Sequence, residues 1–409
     1  MTKTLHKTAL LLISLPILLF SCSKTGMKNA PTSATETSMV LHKYGLNPMT
    51  EDQFKDVPLF SPAILKSNAS DLGLTYSGTL PSSYLLTTPA VRDQGQMGAC
   101  TGFCGTEANE IIHYYSAVST SSPSITVASG ISTAVNTKFA SPTTYFGSAG
   151  ALSPLFLYYV ERCVIAKQSI KTDNGANMVN IGQALQGLST NSGTGKALTL
   201  SGKTFKGECT EDLYPYPTTA ITASSPYNLA TSSSAQFQTA PSAAAISNAP
   251  GFNIATQSGT TGSSGTTAHG YYLISSTGDV AEVNNAKIAI LNNKPVMMGF
   301  NVYDNSSYTI FEGLSTTSYI YNPLVAKTSR GTTTYVLNTK LSLLGGHAVP
   351  LIGYVDDGTA STSATGGGYF ICQNSWGTPW GYNGDFYLPY SVLRNTTVVS
   401  NGSLYVAIL

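Results

Sequence analysis

Two side chains far apart in the chain, Cys100 and His347, could together break a carbonyl bond if the fold brings them into contact. A thiol attacks as its thiolate, so a nucleophilic cysteine needs surroundings that stabilise negative charge on sulfur. Cys100 follows a loop marked by Gly95 and Gly98 and opens a helical-looking stretch, TGFCGTEANEIIHYY, so it falls in a first helical turn. Free backbone N–H groups and the helix dipole favour an anion there. A histidine brought alongside would complete an ion pair. Of the five histidines, His6 lies in the apolar N-terminus, His42 in a lead-in, His113 on the cysteine helix and His269 in a Gly/Thr-rich loop. His347 differs. In Gly345-Gly346-His347-Ala348-Val349 it sits on an apolar strand that fixes the ring, beside a glycine pair that leaves it room.

A histidine base needs its second nitrogen held by an acceptor, so that the correct tautomer faces the sulfur. Asn374, in Gln373-Asn374-Ser375-Trp376-Gly377, supplies a neutral amide for this, and Trp376 can cover the hydrogen bond. Attack on a carbonyl also needs donors for the developing oxyanion; the Gln94 side-chain amide and the Cys100 backbone N–H are the candidates. Each residue has a plainer reading. A lone cysteine at a helix start is usually a buried structural residue. A strand histidine is usually satisfied in the core, Gln94 could be a loop residue, and Trp376 and Trp380 core aromatics. Their conjunction is what favours chemistry. Cys104 shares a helical face with Cys100 and reads as a packed thiol, as does Cys372, while Cys163 and Cys209 are candidate disulfide partners. The histidines are scattered and no C-x-x-C pair occurs, so neither a metal nor another cofactor is expected.

The elements that must position these residues follow the hydrophobic pattern. LSPLFLYYVERC (Leu152–Cys163) reads as a helix with Ser153-Pro154 as cap and first turn, and 177–188 continues in that style. A helix-like run ends at Asn292, and PVMMGFNVY (Pro295–Tyr303) reads as a buried strand. HAVPLIGYV, GGYFICQNSW, GDFYLPY and LYVAIL then alternate strand signals with turns. The first half leans helical and the second half β, which predicts an α+β chain of two lobes. Ser/Thr-rich stretches near 116–149, 189–205 and 218–266 read as inserted loops or extended edges.

With 21 basic and 20 acidic residues and no basic run, the chain offers nothing to nucleic acid. Its N-terminus is more informative. Lys3 and Lys7 precede the apolar run Ala9–Phe20, too short for a membrane span, which stops at Leu19-Phe20-Ser21-Cys22. This resembles the bacterial lipobox and implies cleavage before Cys22, diacylglycerol on its sulfur, and an exported, membrane-anchored lipoprotein. Ser23 leans the address toward the outer membrane. An ordinary signal peptide abutting a cysteine is the plainer alternative. Residues 1–21 are thus expected to be a signal peptide, 22–79 a lipidated tether and lead-in, and 80–409 one enzymatic domain. A short helix is expected around Thr50–Lys55 in the lead-in. If Cys22 carries lipid, an odd number of cysteines remains, which fits a free reactive thiol.

At these motifs the chain resembles the papain-like cysteine peptidases. VRDQGQMGACTGF has Gln94, Gly98, Cys100 and Phe103 in the family's places, GGHAVPLIGY resembles the histidine strand, and QNSWGTPWGYNGDFYL the asparagine segment. LSPLFLYY, DNGA, KGECTEDLYPY and AILNNKPVMMGFNVY follow in family order, so the resemblance runs from about Leu80 to the C-terminus. It implies a papain-like fold with a helical lobe, an antiparallel β-barrel-like lobe and the active site in the cleft between. It further implies peptide-bond cleavage through an acyl-enzyme on Cys100 by a monomer acting on peptide or protein substrates. By the same carry-over, Gly175 and Ala176 would bond the substrate backbone. Ala348 would lie near the pocket for the side chain two residues before the scissile bond, and Trp376 is placed with the substrate contacts. Thr101 departs from the aromatic of well-known members, Met97 replaces a cysteine usually disulfide-bonded, and no long helical pro-segment is visible. His347 also lies much further from Cys100 than the roughly 130–150 residues usual for the family, an excess the insertions account for. Two alternatives stay open: another Cys-His reaction in the same cleft (amide cleavage in cell-wall peptides or acyl transfer), and a lapsed enzyme scaffold that binds peptides or glycans.

Overall fold

The structure is a computed structural model, and it describes residues 42–62, 65, 80–117, 151–192, 195–217, 231–255, 270–274, 278–305, 310–314 and 319–409. The signal-peptide and lipidation readings, the 116–149 insertion beyond residue 117, and 218–230 and 256–266 of the third insertion lie outside them. Leu41–Leu409 forms one compact unit.

The helices are α1 (Glu51–Phe54), α2 (Cys100–Ala117), α3 (Pro154–Tyr159), α4 (Met178–Gln186), α5 (Ala243–Asn248), α6 (Val280–Leu291) and α7 (Tyr390–Leu393). α1 meets the expectation of a short helix there, whereas α5 lies in a stretch expected to be loop. Its run Ala243-Ala244-Ala245 favours helix once Ser242 caps it, the Ser242 hydroxyl accepting from the Ala245 N–H. α3 begins as its sequence suggests: the Ser153 hydroxyl accepts from the Phe156 N–H, and Pro154 costs no hydrogen bond in the first turn. It runs on into a π-helical turn, Val160–Ile165.

α2 is buried on nearly every side, which is why its apolar residues show no clean stripe. Its glutamates enter the core only with partners. Glu110 accepts from the Arg92 guanidinium at 2.5 Å and from the Leu152 N–H at 2.8 Å. α2 and α3 meet at glycine: a Cβ on Gly102 would lie 2.7 Å from the Pro154 oxygen and 2.9 Å from the Tyr158 Cβ. These helices, with α4 and the turn after α3, enclose one apolar core.

The strands are β1 (Ser83–Leu85), β2 (Leu198–Leu200), β3 (Lys203–Phe205), β4 (Tyr271–Ile274), β5 (Val296–Asp304), β6 (Leu324–Ser329), β7 (Thr332–Leu337), β8 (Ser342–Asp356), β9 (Gly368–Gln373), β10 (Asp385–Pro389) and β11 (Leu404–Ala407). Seven form one antiparallel sheet in the order β10-β9-β8-β5-β11-β4, with β1 also on β8. Long apolar β5 and β8 form its centre, over a second core. The barrel-like lobe expected from sequence is an open sheet among the described residues. Each edge is taken by a short segment: Tyr319–Tyr321 bonds to Tyr387 of β10, and Pro58–Phe60 bonds to Leu273 of β4. Edges covered in this way have no groups left to close on one another.

The α2–α3 contact yields a direct test. Gly102→Val should lower the thermal midpoint and cost about 1–3 kcal/mol by overpacking. An unchanged midpoint in thermal denaturation would mean that the two helices do not approach this closely.

Candidate active site

Cys100 is the first residue of α2 and is fully buried. His347 is buried on β8, paired in register with Phe300 of β5. Its Nε2 lies 2.7 Å from the Asn374 Oδ1. That same oxygen accepts the Ser375 N–H at 2.8 Å, which fixes the amide orientation. An amide oxygen only accepts, so Nε2 carries the ring proton and Nδ1 is left as the base. Nδ1 is buried with no hydrogen-bond partner. The backbone of Ala348, the residue next to His347, lies beside the Cys100 sulfur, so strand and helix meet at the thiol. The Trp376 ring lies 5.2 Å from the imidazole, tilted against it by 40°. Trp380 is core, its indole N–H donating to the Phe311 carbonyl at 3.2 Å.

Gln94 reaches this group through a short pairing of chain segments. Its N–H donates to the Ser375 carbonyl at 2.9 Å, and the Gly377 N–H donates to the Arg92 carbonyl at 3.0 Å. The Ser375 hydroxyl donates to the Gln94 Oε1 at 2.6 Å, which leaves the amide N–H₂ as donor into the cleft. Ser375 therefore positions Gln94, a role legible only once the two segments are seen together.

The cleft is filled by the chain's own lead-in, which passes through it as an extended strap. The Lys43 carbonyl accepts from the Gln94 Nε2 at 2.9 Å. The Ala176 N–H donates to the Gly45 carbonyl at 3.0 Å, the Leu46 N–H to the Gly346 carbonyl at 3.0 Å, and the Asn47 N–H to the Ala176 carbonyl at 2.7 Å. Leu46 packs over Gly299, the register partner of Ala348, beside Met178. Tyr44 stands edge-on to His347 and donates to Glu312 at 2.9 Å, and His42 stacks on Trp376 at 4.5 Å. Gly175, Ala176, Ala348 and Trp376 thus all lie along the strap. Residues 42–49 are no loose tether, and among the described residues they occupy the cleft although the sequence shows no helical pro-segment pattern. A short extended segment needs no amphipathic signature, so only Gly45 could have hinted at it. A Cβ on Gly45 would lie 1.9 Å from the Gly98 oxygen, and one on Gly175 would lie 2.1 Å from the Gly45 oxygen.

A model of the papain family cysteine protease matches residues 196–405, just over half of the chain, and includes His347 and Asn374. The chain belongs to the papain family of cysteine proteases. Among solved structures it is similar to xylellain, a cysteine protease from Xylella fastidiosa, at 21% identity and a TM-score of 0.54, over 89% of this chain and 95% of that one. It is also similar to digestive procathepsin L 3 of the Tenebrio molitor larval midgut, at 17% identity and a TM-score of 0.40, over 83% and 73%. No curated protein matches it. The family's two-lobed fold is what the helical and β cores form here.

The family's familiar disulfide beside the nucleophile is replaced. Met97 is fully buried, and the Gly98 N–H instead donates to both carboxylate oxygens of Asp173 at 3.1 and 3.2 Å. Cys163 and Cys209, offered above as disulfide partners, are both free and buried. Each packs as an apolar side chain in the helical core, where a thiol needs no partner.

Strap and lobes together dry the reacting groups. Burial pushes the Cys100 thiol up to about 12, against backbone hydrogen bonds from Gly45 and Ala348 that lower it, and Glu161 raises it further. Burial also brings His347 down to about 4, although the Asn374 bond opposes this. At pH 7 such a thiol keeps its proton. The strapped site therefore holds a neutral thiol and a neutral imidazole. Glu161, missed in the sequence, lies fully buried beneath the nucleophile's turn, accepting from the Thr101 hydroxyl at 2.6 Å. Burial raises its carboxyl to about 8, the Thr101 bond opposing.

Two outcomes are expected. In Gly45→Val the strap cannot seat, so alkylation of Cys100 at pH 6 should accelerate about a hundredfold or more and lose its steep rise with pH. Peptide mass mapping across pH 5–9 reads this, and equal rates in both chains would remove the strap from the argument. Glu161 keeps, between its ordinary 4.5 and about 8, a proton that the unfolded chain releases. Its contribution to stability is thus complete below pH 4.5 and is lost as pH rises through about 8. Glu161→Gln should flatten that fall in thermal stability; an unaltered slope would show the carboxylate to be ionised in the fold.

Proposed function

We propose that this chain hydrolyses peptide bonds through an acyl-enzyme on Cys100, and that residues 42–49 hold it latent until they leave the cleft. The observation that carries the reading is the Gln94 amide on the Lys43 carbonyl beside the nucleophile. A carbonyl oxygen already occupies the place where the oxyanion would form. With the strap gone, water re-enters and His347 Nδ1 takes the Cys100 proton to give a thiolate–imidazolium pair. The sulfur attacks the substrate carbonyl, and Gln94 with the Cys100 N–H at the helix start receives the oxyanion. The imidazolium returns its proton to the leaving amine, and the thioester holds the acyl part. His347 then activates a water whose attack releases the acid and restores the thiol. Asn374 keeps the ring's tautomer and orientation throughout.

Ala176 and Gly346 would offer a substrate the backbone bonds they now give the strap, and the space over Gly299 and Ala348 would take an apolar side chain such as Leu46. Export and a lipid on Cys22 belong to the same proposal: they would put residues 23–41 between the membrane and the strap.

Turnover of a fluorogenic peptide library by the full chain carrying Gly45→Val is the test. Added Cys100→Ala or His347→Ala should reduce it about a thousandfold or more, and Asn374→Ala by less. Hydrolysis of cell-wall amides with none of ordinary peptides would assign the triad to amidase chemistry. No turnover, with Cys100 alkylated no faster than an ordinary thiol, would leave a lapsed binding scaffold.

A further inference from the structure

We propose that Asp173 makes the cleft select lysine or arginine at the residue whose carbonyl Cys100 attacks, an inference that rests on the peptidase reading above. Lys43 is the stand-in. Its carbonyl oxygen takes the Gln94 hydrogen bond at 2.9 Å, the position of a scissile carbonyl. From the same residue, the ammonium reaches the Asp173 Oδ2 at 2.8 Å and the Asp173 main-chain carbonyl at 2.7 Å. One residue thus occupies the oxyanion donor with its backbone and an acidic subsite with its side chain.

That subsite is built, not a chance surface pairing. The Asp173 side chain is 3% exposed, against 44% for Lys43. Its Oδ1 accepts the Tyr158 hydroxyl at 2.6 Å, and the Gly98 N–H holds both oxygens. Tyr158 is itself fully buried, and its oxygen accepts the Gly175 N–H at 3.1 Å. The carboxylate is therefore locked from behind, with Oδ2 and the carbonyl aimed at the same point. Two fixed acceptors suit an ammonium with three donors or a guanidinium fork. An acidic side chain would meet like charge, and a neutral one would leave the carboxylate unpaired once substrate covers it.

The strap fits this cleft, and its lysine shows what the subsite can hold. It does not report the order of neighbouring subsites. Leu46 pairs with Ala176 in parallel and with Gly346 antiparallel, so the side chains flanking Lys43 are not carried over to substrate.

The experiment uses the full chain carrying Gly45→Val and blocked peptides alike except for arginine, citrulline or glutamate before the reporter. Citrulline keeps the shape of arginine and removes the charge. The kcat/KM ratio of arginine to citrulline should be about tenfold to a hundredfold, the worth of a charge-assisted hydrogen bond. Asp173→Asn should bring the ratio close to one, and Asp173→Lys should turn preference toward glutamate. Each ratio is taken within one preparation, so a loss of folded protein cancels. A ratio near one in the parent, or one unmoved by Asp173→Asn, overturns the proposal. Should no peptide be cleaved, the peptidase reading fails and the subsite is judged by binding. The Cys100→Ala, Gly45→Val chain would be titrated with blocked arginine amide and citrulline amide: tighter binding of arginine that Asp173→Asn abolishes supports the cation site, and equal binding sinks it.

Discussion

At the middle of the cleft the Gly45 backbone packs directly against those of Gly98 and Gly175, and a Cβ on Gly45 or on Gly175 would overlap the backbone facing it. Gly98 belongs to the loop before the nucleophile, and Gly175 sits in a left-handed turn at φ 72° that few other residues adopt without strain. This approach lets a strand of chain lie flat across Cys100 and His347 and exclude water from both. The neutrality of the thiol and imidazole follows from that exclusion, because burial penalises the charged form of each. The same reactive groups, hydrated, would favour the ion pair. The latency proposed for the strap is thus a matter of solvent as much as of obstruction.

Behind the cleft, both walls are held by buried polar groups that are paired. On one side Gln94, Ser375, Asn374 and His347 form a chain of hydrogen bonds that crosses from one segment to the other. On the other, Arg162 is fully buried and donates to the carbonyls of Ile170, Thr172 and Phe237 while its guanidinium lies 3.8 Å from the Phe237 ring centre. It thereby fixes the loop that ends in Asp173, Gly175 and Ala176. An arginine this deep is stable because its donors go to fixed carbonyls and its flat face meets an aromatic. Beside the nucleophile, Asp173 accepts the Gly98 N–H and Met97 is packed in the core, and these contacts hold that wall of the site.

Much of this was legible beforehand because it is local. Ser153-Pro154 marked the start of α3, the β-branched and aromatic runs marked β5, β8 and β9, and the glycines before Cys100 marked a loop entering a helix. Motifs around Cys100, His347 and Asn374 carried the chemistry because each role needs one residue type in one local setting. The strap was not legible: an extended segment of eight or so residues held by main-chain hydrogen bonds leaves little in its side chains to read. Nor was α5, short and embedded in Ser/Thr-rich sequence, or the pairing of 92–94 with 375–377, which depends on contacts across most of the chain.

The amino-acid sequence by itself determined which groups could react, the helical and β halves, and the family to which the chain belongs, since residue type and short-range spacing suffice for these. Only the tertiary structure decided which carbonyl meets Gln94, that Lys43 finds Asp173, that Cys163 and Cys209 stay apart as thiols, and that the reacting pair is dry and neutral. Those properties depend on distance and on access to water, and both are set by residues far apart in the chain that meet only when it folds.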